Sequence, residues 1–395
     1  MNCVLLGYGT VGKEIERLCQ SLDDLNIQHV FVRPSKVNLP YFTDHGKTIV
    51  SAKQTDIVFE CLNGLEPANT LIQIALRHGK HVISSNKAVI SKYLNTYLEL
   101  TKNYGGSIQI EATVGGGIPI IDAILKLGLA EPLTQVEGIL NGTSNYILTS
   151  MEQNGVSFAN ALSNAQSLGF AEADPTNDVE GIDVYYKSLI LASLLTHASI
   201  TDLPKPFGIS NIDKIDIELA KSANRTIRHV ATLKNVNGKH SALIAPIFLS
   251  NDSFFASVHQ NYNAQLVYGP SFEKLGYYGQ GAGGSATAQA LVANALDVVQ
   301  GRIRKIELNR HSDFDASLIC KDWIVRTTND IDLRQFKHLE KATHLFPDPE
   351  LNQALANLDT EIRKMYWFIP NKSQEEISVI NEQDKKAMIG VYQAK

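Results

Sequence analysis

Three features of the chain predict a doubly wound α/β domain of the Rossmann type, followed by an α+β domain and a small α+β appendage. The first is an apolar, strand-like run that passes into helical periodicity through Gly7-Tyr8-Gly9-Thr10-Val11-Gly12. The second is the alternation of strand-like "DIVFECLNG" and "KHVISSN" with the helical "PANTLIQIALRHG" between them. The third is a late glycine-rich run, "YYGQGAGGSATAQALVANALDVVQ", leading into a long apolar helix that is expected to return to the first domain. The expected boundaries are 1–125 for the nucleotide-binding domain, completed by 283–305, then 126–282 for the second domain and 306–395 for the appendage.

Bulk properties narrow the function. A chain of 395 residues is long enough for two or three domains. With 36 Lys+Arg against 41 Asp+Glu and a pI near 6.1, nothing calls for nucleic acid or an anionic membrane as partner. Cys3, Cys19, Cys61 and Cys320 lack the C-x-x-C spacing of a zinc site or the pattern of a disulfide framework, so reduced thiols are expected. The start "MNCVLLGYGTVG" shows no basic region followed by an apolar one, and no run of about 18 apolar residues occurs anywhere. A soluble, cytoplasmic protein is the expectation.

The first elements build a nucleotide site. Gly7 suits the tight turn after the strand, Gly9 admits backbone amides to a pyrophosphate, and Gly12 allows close helix packing. In "IQHVFVRPSK" the strand end carries Arg33, Ser35 and Lys36 where an acid would grip the 2′-hydroxyl of NAD. Those bases suit the 2′-phosphate of NADP(H), plain surface charge being the other reading. Ligands of such sheets sit at the carboxyl ends of the strands, which places Asn63 and Ser84-Ser85-Asn86-Lys87 beside the cofactor. Lys87 is either a crevice group or a solvated lysine. In "IQIEATVGGGIPIIDAI" a strand leads to three glycines and then to Pro119, which is expected to open a helix. Three glycines let carbonyls turn toward a monovalent cation, or make a hinge.

Later elements carry polar clusters. "QVEGILNGTSNYILTSM" reads as a strand ending at Asn141-Gly142-Thr143 and a helix capped by Thr143 or Ser144, with Thr143 alternatively lining a substrate pocket. In "GFAEADPTNDVEGIDVYYKSLILASLL" five carboxylates, Glu172, Asp174, Asp178, Glu180 and Asp183, precede Lys187 and an apolar helix. Negative charge at a helix start is favoured by the helix dipole, so capping is the simple reading. Yet Asp183 and Lys187 are four apart and share a face with Ile190, Leu191 and Leu194, which would partly desolvate the lysine and let it trade protons. A solvated ion pair and a functional site both fit that spacing. Two strand-like runs, "HSALIAPIFL" and "NAQLVYG", follow.

With these segments in view, residues 1 to about 300 resemble the homoserine dehydrogenases, which reduce aspartate 4-semialdehyde to homoserine on the way to threonine and methionine. The resemblance rests on "GYGTVG", "NGLEPANTLIQIALRHGKHVISSNKA", "EATVGGGIPII", "EGILNGTSNYIL", "GFAEADPTNDVEGIDVYYK" and "GQGAGG", all in order. It implies that Lys187 gives a proton to the aldehyde oxygen and that Asp183 holds this lysine charged. It further implies Glu172 on the substrate ammonium and Lys87 between cofactor and reacting end. Family contacts to the cofactor fall on Val11, Asn63, Lys87 and Gly283, beside Gly7, Gly9, Thr10, Gly12, Arg33 and Ser84 of the motifs above. Backbone ligands for a cation, usually sodium, fall on Glu111, Val114, Gly116 and Ile118, and a homodimer through the second domain is implied. A desolvated lysine supplies the proton that a developing alkoxide needs without a metal, and no His/Glu cluster has zinc spacing.

The chain departs from the family pattern at Ser84-Ser85 and at Ser285-Ala286-Thr287, where relatives often carry Thr-Ala and a proline before the threonine. Its last ninety or so residues hold a strand in "KDWIVRTTNDIDLRQFKHLEK" but lack the Pro-Gly turn of a ligand-sensing ACT module. Trp323 and Trp367 give this tail a small core of its own as a diverged or truncated regulatory module, in which threonine feedback is not expected. The rival readings are a non-catalytic NADP-binding sensor and an oxidoreductase for another small aldehyde or alcohol. A sugar-type enzyme would carry Glu-Lys-Pro in place of Asn86-Lys87-Ala88, and a thioester-forming one would need a pocket cysteine.

Overall fold

Apolar runs of four to six residues, each followed by an amphipathic stretch, produce a strand-helix alternation at the start of the chain. The computed structural model describes residues 1–328, 331–336 and 338–393. It begins with β1 (Asn2–Leu6), α1 (Thr10–Cys19), β2 (Asn26–Phe31), β3 (Phe42–Thr43), α2 (Gly46–Ser51) and β4 (Ile57–Glu60). Next come α3 (Ala68–Arg77), β5 (His81–Ser84), α4 (Lys87–Tyr104), β6 (Ser107–Gln109) and α5 (Ile120–Leu127). The middle holds β7 (Gln135–Ile139), α6 (Gly142–Asn154), α7 (Phe158–Ser167), α8 (Thr176–Val179), α9 (Ile182–Thr196) and α10 (Lys214–Ser222). Then follow β8 (Arg225–Val236), β9 (Lys239–Ser250), β10 (Tyr262–Gly269), β11 (Glu273–Gln280) and α11 (Gly284–Val299). The tail contributes β12 (Asp313–Phe314), β13 (Lys321–Arg326), α12 (Pro349–Ala356), α13 (Thr360–Lys364), β14 (Tyr366–Lys372), α14 (Gln374–Gln383) and β15 (Met388–Tyr392).

These elements form two compact units. Unit 1 comprises Met1–Leu133, Leu189–Thr201 and Gly269–His311, and unit 2 comprises Thr134–Ser188, Asp202–Tyr268 and Ser312–Lys395. The boundary expected near residue 125 thus lies at Leu133, and unit 1 also takes in the second half of α9.

Unit 1 is built on a parallel sheet of order β3-β2-β1-β4-β5-β6. Helices cover both faces of such a sheet, so β1 and β4 are buried almost throughout and read as continuous apolar runs. Strand order reverses at β1, which is flanked by β2 and β4, and this reversal opens a crevice beyond their carboxyl ends. The helix after the late glycine run does return here: Ala288, Leu291 and Ala295 of α11 share a core with Leu5, Ile15 and Phe59.

In unit 2 the sheet order is β10-β7-β8-β9-β15-β13-β14, with β12 on β9. β8 had no counterpart in the sequence reading, because "RTIRHVATLKNV" lacks an apolar-polar alternation. Both of its faces are covered from Arg225 to Leu233, and its two arginines are neutralised inside. Arg225 donates twice to Asp348 Oδ2, at 3.1 and 2.8 Å, and Arg228 meets Glu152 at 2.8 Å.

The tail has no core to itself, contrary to the expectation from its two tryptophans. Strand β15 pairs parallel to β9, and Trp323 and Trp367 lie in one cluster with Ile139, Val230 and Leu243. Buried polar ties complete the attachment: Arg326 clasps Asp216 through two bonds of 2.8 Å, and the Tyr366 hydroxyl donates to the same carboxylate at 2.6 Å. Composition alone does not separate a private core from a shared one. No helix among the described residues is long and apolar enough to cross a membrane.

Candidate active site

The polar cluster of unit 2 starts where β7 ends. Gly142 is required there because a Cβ would lie 2.7 Å from the Asn261 carbonyl oxygen. Helix α6 is capped by Asn141 and not by Thr143 or Ser144, which already have helical positions. The Asn141 Oδ1 accepts from the Ser144 N–H at 2.8 Å and from its hydroxyl at 3.0 Å. The freed Thr143 hydroxyl donates to the Phe170 carbonyl at 2.6 Å.

The other end of the Asn141 amide donates to two carboxylates, Asp178 Oδ1 at 2.7 Å and Asp183 Oδ2 at 2.8 Å. Lys187, one turn along α9, donates to the same Asp183 oxygen at 2.7 Å and to the Leu140 carbonyl at 2.6 Å. The pair is not solvated: Lys187 is 7% exposed and Asp183 4%. In so dry a place each charge depends on its partner, and removing either strands the other.

The acidic stretch therefore divides. Asp183 lies in the first turn of α9 and Asp178 in α8, where both are tied to Asn141. Glu172, Asp174 and Glu180 are exposed, so the carboxylates do not act together as a helix cap. Among them Asp174 accepts from the Thr176 N–H and hydroxyl, which hold its carboxyl below the usual range. Glu172 stands outside the buried cluster, and its backbone carbonyl receives the Gln166 side chain at 3.0 Å. Asn141, expected from the sequence only as the end of a strand, is the link between Asp178 and Asp183. An asparagine two residues past a strand and three before a helical Ser N–H was the available signal.

In unit 1 the glycine motif has the geometry its spacing predicted. Gly7 has φ +101°, and a Cβ on Gly12 would lie 2.3 Å from the Gly7 oxygen. No side chain caps α1 at Gly9, and a Cβ there would meet nothing within 4 Å. The first turn of α1 thus has no side-chain cap, and the space beside Gly9 at this helix N-terminus fits a pyrophosphate. Gly284 lies against Thr10, since its Cβ would sit 2.6 Å from Thr10 Cγ2, and this brings Gly283 to the same turn.

At the ends of the neighbouring strands, Arg33 and Asn63 are exposed and Lys87 is half-buried as the first residue of α4. Ser84 differs from its expected place as a cofactor contact. It is fully buried with its hydroxyl donated to Glu60 at 2.5 Å, so it supports the wall from behind.

The cation positions have mixed roles. The Glu111 carboxylate accepts from the Ile121 and Asp122 N–H groups at 2.9 and 2.7 Å, so it caps α5. Burial pushes its pKa up to about 8 against the pull of those bonds. What remains for a cation is backbone. Gly115 and Gly116 turn with φ +75° and +59°, and Val114, Gly116 and Ile118 are buried, an arrangement that fits a small monovalent ion among carbonyls. Among the described residues no group of three or more His, Cys, Asp or Glu is placed to hold a metal.

Comparison with known proteins points to one family. A family described as homoserine dehydrogenase matches residues 119–296, and one described as the NAD-binding domain of homoserine dehydrogenase matches residues 7–111. The chain is 37% identical to a homoserine dehydrogenase of Synechocystis sp. over 75% of its own length and 72% of that protein. It is 33% identical to one of Corynebacterium glutamicum over 77% and 73%. The crystal structure of a homoserine dehydrogenase from Thiobacillus denitrificans superposes with a TM-score of 0.79 at 25% identity, covering 100% of this chain and 98% of that one. A hyperthermophilic archaeal homoserine dehydrogenase, solved in complex with NADPH, shares the fold with a TM-score of 0.66 at 23% identity, over 78% of this chain and 99% of that one. By these similarities, and by the motifs that carry them, the chain belongs to the homoserine dehydrogenase family, NAD(P)-dependent oxidoreductases of amino-acid biosynthesis.

Proposed function

We propose that unit 2 binds L-aspartate 4-semialdehyde, or L-homoserine in the reverse direction, and that Lys187 is the proton donor to the carbonyl oxygen. The observation that carries this reading is the buried Asp183–Lys187 pair, joined at 2.7 Å and anchored to the Leu140 carbonyl. An NAD(P)H bound to unit 1 supplies the hydride. As negative charge grows on the aldehyde oxygen, Lys187 gives up a proton and becomes neutral. Asp183 would then be a stranded anion, but the Asn141 amide still donates to it at 2.8 Å and tempers that cost.

The remaining assignments extend the same reading. Glu172 takes the substrate ammonium, Thr143 lines the pocket, and Lys87 contributes from the cofactor side. Arg33, exposed at the end of β2, favours NADPH over NADH through the 2′-phosphate, in keeping with the NADPH complex of the archaeal relative. Sodium is held by the carbonyls of Glu111, Val114, Gly116 and Ile118, where it would pin the glycine turn. The enzyme is a homodimer in the cytoplasm.

The test is NADP⁺ reduction by the purified protein with L-homoserine at alkaline pH, with and without sodium chloride. Turnover is expected. NADPH binding without turnover would instead point to a sensor or to another substrate.

A further inference from the structure

Glu60, the last residue of β4, is fully buried, and a backbone N–H, a hydroxyl and an amide, all neutral, donate to it. Its Oε1 accepts from the Leu62 N–H at 2.9 Å and from the Asn86 amide at 3.4 Å, while its Oε2 accepts from the Ser84 hydroxyl at 2.5 Å. Asn86 extends the network by donating to the carbonyls of Leu62 at 3.1 Å and Gly64 at 2.8 Å. Its Oδ1 caps α4 by accepting from the Val89 N–H at 3.3 Å, and its own N–H donates to Ser84 Oγ at 3.0 Å. One carboxylate thereby joins the turn after β4, which carries Asn63, to the first turn of α4, which carries Lys87.

Burying a carboxylate with no cation beside it is expensive, and an apolar side chain would serve stability as well or better. The arrangement makes sense if those two turns must be held in a set relation at the crevice end of the sheet. We propose that Glu60 is a positioning residue for the cofactor, acting by fixing Asn63 and Lys87. The inference rests on the reading that unit 1 binds NAD(P)H through those two residues.

The experiment measures the NADPH dissociation constant by fluorescence titration, alongside kcat, the KM for L-homoserine at saturating cofactor, and thermal unfolding. Glu60→Ala should weaken NADPH by about tenfold, because the Leu62 N–H and Ser84 hydroxyl lose their acceptor, with the KM for L-homoserine changed by less than about twofold. Glu60→Gln keeps an acceptor for Leu62 and should stay within about threefold of the parent. A purely structural role would lower the unfolding temperature and leave the NADPH constant where it was, and that result overturns the proposal. Should Glu60→Ala fail to fold, Ser84→Ala removes one donor to Glu60 and the acceptor of the Asn86 N–H, leaves the Glu60–Leu62 bond in place, and is expected to weaken NADPH by about threefold; an unchanged constant again overturns it. A parent protein that does not bind NADPH at all would mark failure of the underlying cofactor reading, and this proposal would fall with it.

Discussion

Asp183 in unit 2 and Glu60 in unit 1 are both buried carboxylates, and they are satisfied in opposite ways. Asp183 accepts from a lysine and an amide on one oxygen, while Glu60 accepts from a hydroxyl, a backbone N–H and a more distant amide. A cation beside a buried carboxylate sustains both charges, and a lysine kept charged in a dry place is a proton source. Neutral donors compensate burial only in part, so burial pushes the Glu60 pKa up to about 7 although Ser84, Leu62 and Asn86 pull it down. The first arrangement suits chemistry and the second suits support.

The sharpest way to break this contrast is to remove the cation. Lys187→Ala should lower turnover by a factor on the order of 10² to 10⁴ while NADPH binding persists, as stopped-time assays and titration would reveal. Retained turnover would make the pair structural and reduce the two clusters to one kind.

A second test separates them by pH. The Glu60 carboxyl titrates higher in the folded chain, about 7, than its ordinary value of 4.5. The folded state therefore binds more protons between those values, and stability falls as pH rises through that window. The loss attributable to this group is roughly 3 kcal/mol by pH 7 and absent below about pH 4.5. Glu60→Gln should flatten that part of the stability curve in urea unfolding at a series of pH values, and an unchanged slope would contradict the assignment.

Asn141 offers a smaller effect on the catalytic side. Asn141→Ala removes the donor that Asp178 and Asp183 share and should lower kcat by about tenfold, with the NADPH constant unmoved. Equal loss in both quantities would mean that the two clusters are not functionally separate. Smallest of all, Arg33→Ala at an exposed site should weaken NADPH a few-fold and leave NADH alone, since a surface charge contributes about 1 kcal/mol or less. A parallel loss for NADH would argue against a 2′-phosphate contact.

Legibility in the sequence followed how local the cause was. The turn around Gly7, Gly9 and Gly12 was readable because a φ of +101° and a 2.3 Å approach of a would-be Cβ leave glycine as the residue that fits. Lys187 and Asp183 were readable as one face because helix periodicity places residues four apart together. Partial desolvation of the lysine was readable too, from Ile190, Leu191 and Leu194 on that face, but its buried partners were not, since the carbonyl of Leu140 and the amide of Asn141 come from residues more than forty positions upstream. Strand β8 was hidden by arginines whose partners, Asp348 and Glu152, are remote in the chain. The cap of α6 was misplaced by two or three residues because serine, threonine and asparagine are all good caps and stood together.

What the sequence by itself determined is the class of machine: a glycine-led nucleotide turn, the order of strands and helices in unit 1, and an Asp-Lys pair one helical turn apart, all set by backbone sterics and short-range periodicity. Tertiary structure alone decided the use of those parts. It drew the tail's tryptophans into the core of unit 2, sent the Ser84 hydroxyl to Glu60, and made Asn141 the bridge between two carboxylates. Desolvation is the reason, because it depends on every element packed around a group, and a polar side chain inside a fold takes its role from whichever distant donor or acceptor reaches it there.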